Sequence, residues 1–332
     1  MDKPKVYFYP SCPREGYTNP YCINYKQILK KEFTLLDAEN KVTPMKTATL
    51  FRYSLVEDMV ILNWIENVGK LRLGIVQFFL AYLSLTILKL RKKDIIWMFH
   101  NMTPHEGRDY SSDILCSFLY KNATLVISHS QEAAEYVRKH AQCRVEYICH
   151  PIKALDFTFR NDLKQYDVLI WGTILPYKGI VEFLENCKDK TDDVSILILG
   201  KCSDESLCKQ IEQLCGKWVT FENRMAEFDE LASYIKKCKY VLFPYIGNSI
   251  SSSGALIDTL AMKGNPIGPA KGAFMDLSKE GVCITYRNYD ELIGILRSST
   301  LKISEERREL FINSNSWVVF GKKLKQLLKN LS

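Results

Sequence analysis

Neither GxGxxG nor GxxxxGK[ST] occurs in the 332 residues, which excludes the two best-known glycine-rich phosphate cradles. No Asp-x-Asp pair is present, so no donor-bridging metal ion is implied, and no other residue pattern calls for a cofactor. Cys202, Cys208 and Cys215 lack CxxC spacing, and Cys143, Cys149 and His150 do not make a convincing zinc set. The start, MDKPKVYFYP, has no apolar core of the kind a secretory signal needs, so a reducing, cytoplasmic setting is expected. In that setting the 11 cysteines act as small hydrophobes. No basic run is interleaved with aromatics, which argues against a nucleic-acid partner.

Long apolar runs are also scarce. The strongest, GIVQFFLAYLSLTILKL at residues 74–90, sits at the lower limit for a membrane span and is interrupted by Gln77, Ser84 and Lys89. It reads first as a packed helix of an α/β domain. With Arg91, Lys92 and Lys93 behind it, a helix lying in a membrane interface is the alternative.

With 47% hydrophobic and 25% charged residues, the chain has enough of each for two soluble α/β domains. The net charge of +7 is uneven. Residues 1–152 hold 20 Lys+Arg against 15 Asp+Glu, and the remainder 25 against 23, giving +5 and +2. A solvated surface explains so small a bias, and peripheral attraction to an anionic membrane is the functional alternative.

Short apolar runs ending on polar residues, such as KVYFY, DIIWMFH and TLVISHS, read as buried parallel strands alternating with helices. The alternation pauses at PIKALDFTFRNDLKQ and restarts with DVLIWG, VSILILG and YVLFPY. The expected organisation is a first Rossmann-like domain over 1–152, a linker at 153–165 and a second domain over 166–302. A helical segment, 303–332, is a candidate to cross back to the first domain. The fold class is α/β, with two doubly wound domains facing a cleft.

Ligands in such sheets bind at the carboxyl ends of strands. In DVLIWGTILPYKGIVEFLE a strand ends at Gly172, followed by Thr173, and Lys178 precedes a helix start. Glycine permits close backbone approach, and a helix N-terminus with a mobile lysine suits a diphosphate. In YIGNSISSSGALIDTLAMKGNPIG, Ser252, Ser253 and Gly254 open a helix that stops at Gly264. Asp258 lies one turn in, opposite Leu256, Ile257 and Leu260, so its carboxylate can reach a ligand at the helix mouth.

The order strand–Gly–x(5)–Lys–Gly, then a strand ending in Pro, then Gly-x-x-x-acid-x(5)-Gly-x-Pro resembles the donor domain of family-4-type glycosyltransferases of the GT-B kind. The resemblance covers roughly residues 167–275. It implies that Lys178 holds the donor diphosphate, that Asp258 holds the ribose, and that Ser252, Ser253 and Gly254 contact phosphate or sugar. Two positions depart from the pattern. Thr173 stands where the family has arginine after the strand glycine, and Ile250 replaces the first of two glutamates eight apart.

In the first half, DIIWMFHNMTPHEGRD is similar to the N-terminal domain of some bacterial surface-polysaccharide glycosyltransferases. That resemblance assigns the donor sugar to His100, at a strand end. His105 or Glu106 would orient the acceptor or take its proton. In SCPREGYTNPY, Tyr17, Asn19 and Tyr21 are candidate acceptor contacts. The combined expectation is a metal-independent hexosyltransferase, with retention favoured. It would use a UDP-sugar before a GDP-sugar, with a glycan or lipid-linked acceptor. A nucleotide-sugar epimerase and a non-catalytic partner subunit are the alternatives.

Overall fold

A computed structural model describes residues 3–11, 19–36, 45–100, 110–154, 157, 165–187, 190–191, 193–247, 250–298, 301–329 and 331. The chain divides into two compact units, Met1–Cys149 with Trp317–Ser332, and His150–Ser316.

Unit 1 runs β1 (Lys5–Tyr9), α1 (Pro20–Glu32), β2 (Thr34–Leu35), α2 (Lys46–Tyr53), β3 (Met59–Asn63), α3 (Gly74–Leu90) and β4 (Asp94–Phe99). It continues with α4 (Tyr110–Asn122), β5 (Leu125–Ser128), α5 (Gln131–Arg138) and β6 (Arg144–Tyr147). Its strands form one parallel sheet in the order β2-β1-β3-β4-β5-β6. Both faces are covered, so the central strands are mostly apolar: every residue of β3 is buried, Val6 and Phe8 enter one core, and Val60 and Trp97 enter the other.

Unit 2 runs β7 (Val168–Trp171), α6 (Ile180–Cys187), β8 (Ile196–Leu199), α7 (Glu205–Leu214), β9 (Val219–Glu222) and α8 (Phe228–Lys237). Then come β10 (Tyr240–Leu242), α9 (Gly254–Ala261), β11 (Pro266–Pro269), α10 (Gly272–Lys279), β12 (Ile284–Tyr286), α11 (Tyr289–Arg297) and α12 (Glu305–Ser314). Its parallel sheet has the order β12-β11-β10-β7-β8-β9. Several of its helices start on side-chain caps, among them Asp204 for α7, Ser253 for α9 and Asn288 for α11.

The last helix, α13 (Trp317–Lys329), belongs to unit 1. Phe320, Leu324 and Leu328 bury against Tyr25 and Leu29 of α1, and Lys325 pairs with Glu32 at 2.6 Å. Gly321 permits the approach, since a methyl there would stand 2.8 Å from Ile28 Cγ2.

Each sheet reverses its strand order once, between β1 and β3 in unit 1 and between β7 and β10 in unit 2. Crevices outside the carboxyl ends of strands at such switch points are where open α/β sheets bind ligands.

Candidate functional site

The unit 2 switch point is built around Gly172, the residue after β7. Its φ of +100° is left-handed, and a methyl there would lie 3.2 Å from Lys178 Nζ and 3.9 Å from Ala255 Cβ in the first turn of α9. The absence of a side chain thus lets the lysine head and the start of α9 converge on one strand end. Gly200, after β8, closes on the same point: a methyl there would strike the Gly172 carbonyl.

Lys178 ends a short 3-10 turn, Pro176–Lys178, and Gly179 with φ +64° turns the chain into α6. Tyr177 O accepts from Ile246 N at 3.0 Å, locking this turn to the segment that follows β10. Expected as a mobile charge, Lys178 is instead only 7% exposed. Among the described residues its ammonium has no hydrogen bond and no carboxylate partner. The ring of Tyr245 lies beside it, with its centroid 5.4 Å from Nζ. Burial lowers the lysine's pKa, with Tyr177 acting against that shift.

Tyr245 is held in turn by Ser253, hydroxyl to Oγ at 3.2 Å, and Ser253 Oγ accepts from Leu256 N at 3.3 Å as the cap of α9. Burial pushes the Tyr245 hydroxyl up to about 12, so it stays neutral. Gly254 faces open space, leaving the first N–H groups of α9 approachable. Trp171 Nε1 donates to Thr259 Oγ1 at 2.9 Å and fixes α9 against the end of β7. The preceding loop is clamped where Ala273 N donates to Ile250 O at 2.8 Å.

Asp258 lies on the face of α9 shared with Gly254 and Ala255. Burial raises its carboxyl to about 6, and no donor among the described residues reaches it. No ion pair links it to Lys178. Unit 2 therefore holds, near one switch point, an ammonium and a carboxylate that leave each other uncompensated. Ser252 is half-buried beside them, while Thr173 is exposed just beyond Gly172.

The unit 1 switch point gathers Asn63, His100 and His129 from three adjacent strand ends. Asn63 Nδ2 donates to Tyr9 O across the order reversal at 2.9 Å, so its Oδ1 accepts from His100 Nε2 at 2.9 Å. That bond places a ring proton of His100 on Nε2. Trp64, with a left-handed φ of 51°, stacks on His100 at 4.3 Å.

His129 Nδ1 donates to Ile148 O at 2.7 Å, and the hydroxyl of Tyr21 donates to His129 Nε2 at 2.8 Å. Burial depresses His129 to about 4, so it is neutral at pH 7. Tyr21, a candidate acceptor contact from sequence, is thus a buried group whose ring also meets His100 edge-on at 5.4 Å. Asn19 caps α1 through Tyr21 N at 3.0 Å. Tyr17, His105 and Glu106 lie outside the described residues.

Two similarities of architecture place this arrangement. HepE of Anabaena, solved with UDP-glucose, superposes with a TM-score of 0.70 at 14% identity, over 99% of this chain and 100% of that one. A UDP-forming α,α-trehalose-phosphate synthase from Burkholderia vietnamiensis gives 0.66 at 10% identity, over 100% and 98%. The chain has the GT-B fold. AviGT4, a glycosyltransferase of avilamycin A biosynthesis, is a further match at 0.63 and 14% identity, over 99% and 98%. No family model and no curated protein sequence matches the chain.

In this GT-B chain, Gly172, Lys178, Ser253 and Gly254 lie around one switch point. Tyr245, Trp171, Asn63 and Trp64 were not singled out, and His129, though seen to follow a strand run, was assigned no role. Tyr245 and Asn63 carried a readable signal, since each ends or closely follows an apolar strand run. No signal marked Trp64, whose stacking on His100 is a through-space contact.

Proposed function

We propose that the chain is a glycosyltransferase that takes its sugar from a nucleoside-diphosphate sugar, UDP favoured, bound at the unit 2 switch point. The observation carrying this reading is Lys178: a buried ammonium beside a bare Gly172 and the open start of α9, with no carboxylate among the described residues to neutralise it. Such a charge costs free energy unless an anion arrives, and a diphosphate supplies one. Asp258 would accept hydrogen bonds from the ribose hydroxyls, and Ser252 with the α9 N–H groups would hold phosphate or sugar.

In the transfer, the acceptor hydroxyl oxygen bonds to the anomeric carbon as the bond to the diphosphate breaks. The hydroxyl proton passes to a base, and the nucleoside diphosphate leaves. Lys178 and the α9 N-terminus stabilise the leaving charge, which is preorganised electrostatic stabilisation. His100 would contact the sugar, and His105 or Glu106 would handle the acceptor. A hexose donor, retention of configuration and no metal ion are the expected details. The acceptor in this reading is a glycan or lipid-linked oligosaccharide of surface-polysaccharide assembly, received peripherally at a membrane face.

A second reading, a non-catalytic partner subunit, is favoured by Ile250, which is buried where the family has glutamate, and by Thr173. Incubation with UDP-glucose or UDP-N-acetylglucosamine, with and without a membrane lipid extract, separates the readings. Acceptor-dependent UDP release is expected. Free sugar released without acceptor would indicate the epimerase-type alternative, and no turnover or binding with any donor would leave the partner subunit.

A further inference from the structure

Helix α3 is packed inside out. Its polar residues Gln77 and Ser84 are 1% and 0% exposed, while Ile75 is 75% and Phe79 63% exposed. At 3.6 residues per turn, Gln77, Ala81, Ser84, Leu85 and Leu88 form one face against unit 1, and Ile75, Phe79, Tyr82, Leu83 and Leu90 form the opposite one. The buried polar atoms are satisfied: Gln77 Nε2 donates to Arg72 O at 2.8 Å, and Ser84 Oγ donates to Leu80 O at 2.6 Å. On the outer face Thr86 also turns its hydroxyl inward, to Tyr82 O at 2.8 Å. That face therefore presents almost no polar group to its surroundings.

The patch continues past the helix. Arg91 donates to the Ser54 carbonyl, which brings the turn holding the exposed Leu55 and Val56 to the end of α3. Contiguous apolar surface of this kind marks an interaction site rather than a solvated face.

The charges say which partner fits. Residues 70–93 carry Lys70, Arg72, Lys89, Arg91, Lys92 and Lys93 and no Asp or Glu. Lys93 pairs with Asp58, and Arg72, Lys89 and Lys92 are exposed at the two ends of the apolar stripe. A second copy meeting this face about a twofold axis would set cations against cations at both ends, in either helix direction. An anionic lipid surface accepts the same layout, with acyl chains under the stripe and head-group phosphates at the cations. No helix among the described residues is long and apolar enough to cross a membrane, and α3, about 25 Å long, suits lying along one.

We infer that α3, with the Leu55–Val56 turn, seats unit 1 in the interface of an anionic bilayer. This deepens the proposed use of a lipid-linked acceptor, but it is tested without donor or acceptor, so either can fail alone.

The test is cosedimentation of the full chain with vesicles of phosphatidylcholine and phosphatidylglycerol at 7:3, against pure phosphatidylcholine. Binding at least fivefold tighter to the anionic vesicles is expected, weakening several-fold in 0.5 M NaCl. The double variant Ile75→Ser/Phe79→Ser should lose at least tenfold while keeping its thermal transition, since both side chains are exposed. A Phe79→Trp variant should shift its emission to the blue on binding. No binding, or equal binding by the double variant, would overturn the inference. So would a stable dimer in size exclusion that the double variant dissolves, because the face would then serve a second copy.

Discussion

The ammonium of Lys178 occupies the space that a side chain on Gly172 would crowd, Nζ standing 3.2 Å from the position of a methyl there. The glycine and the lysine are six residues apart in sequence and form one feature of the site.

Gly172→Ala tests that pairing. The alanine must adopt φ near +100° or move the strand end, a strain of about 1–3 kcal/mol. It also displaces the lysine head. Urea unfolding should show the lower stability, and UDP affinity should fall further than the stability loss explains. Gly254→Ala is the control: nothing among the described residues lies within 4 Å of its methyl, so stability should change little.

Asp258 predicts a pH dependence for donor binding. Burial holds its carboxyl at about 6 in the free protein, and hydrogen bonding to ribose hydroxyls needs the ionised form. UDP affinity should therefore fall as pH drops through 6, approaching tenfold per unit. Calorimetric titration at pH 5, 6 and 7.5 checks it. UDP titrates in the same range, so Asp258→Asn isolates the protein's share: the variant should bind more weakly at pH 7.5 and show a shallower slope.

Much of the architecture was legible because buried parallel strands are short apolar runs and their helices start on recognisable caps. DVLIWG and TLVISHS stand out in this way, and Ser253 before Gly254 marks α9. The segment from Thr34 to Lys70 was harder. It holds β2, α2 and β3, but β2 is only two residues and α2 starts without a side-chain cap. Sites built from distant residues were the least visible. Tyr21 and His129 meet across 108 positions, and no local pattern foretells that bond. The burial of Lys178 was hidden for the same reason, since Tyr245 and Gly172 create it from two different strand ends. For α3, composition showed an apolar helix but not which face the fold would leave outside.

Glu57 predicts a decline of stability with rising pH. It is fully buried, and neither carboxylate oxygen has a hydrogen-bond partner among the described residues. Burial raises it to about 8, helped by Asp58 and opposed by Arg91. A carboxyl whose folded pKa exceeds its unfolded value stabilises the fold below the unfolded value and loses that contribution as pH rises through the folded one. Stability should thus fall between pH 6.5 and 8, with a slope of up to about 1.4 kcal/mol per unit from this group. Glu66, raised to about 7, acts in the same direction. Glu57→Gln should flatten the profile in chemical unfolding. Starting at pH 6.5 avoids the opposite effect of His129, which loses stability as it protonates below that point.

The most direct test of the central claim is thermal unfolding of the full chain with UDP and GDP, beside Lys178→Ala. A nucleotide at 100 times its dissociation constant adds about 2.7 kcal/mol of stability, a readily measured shift. The account predicts a shift with UDP that largely disappears in the variant, while the variant alone unfolds cooperatively. No shift with either nucleotide, or an equal shift in wild type and variant, would contradict the assignment of the Gly172–Lys178 site to the donor diphosphate.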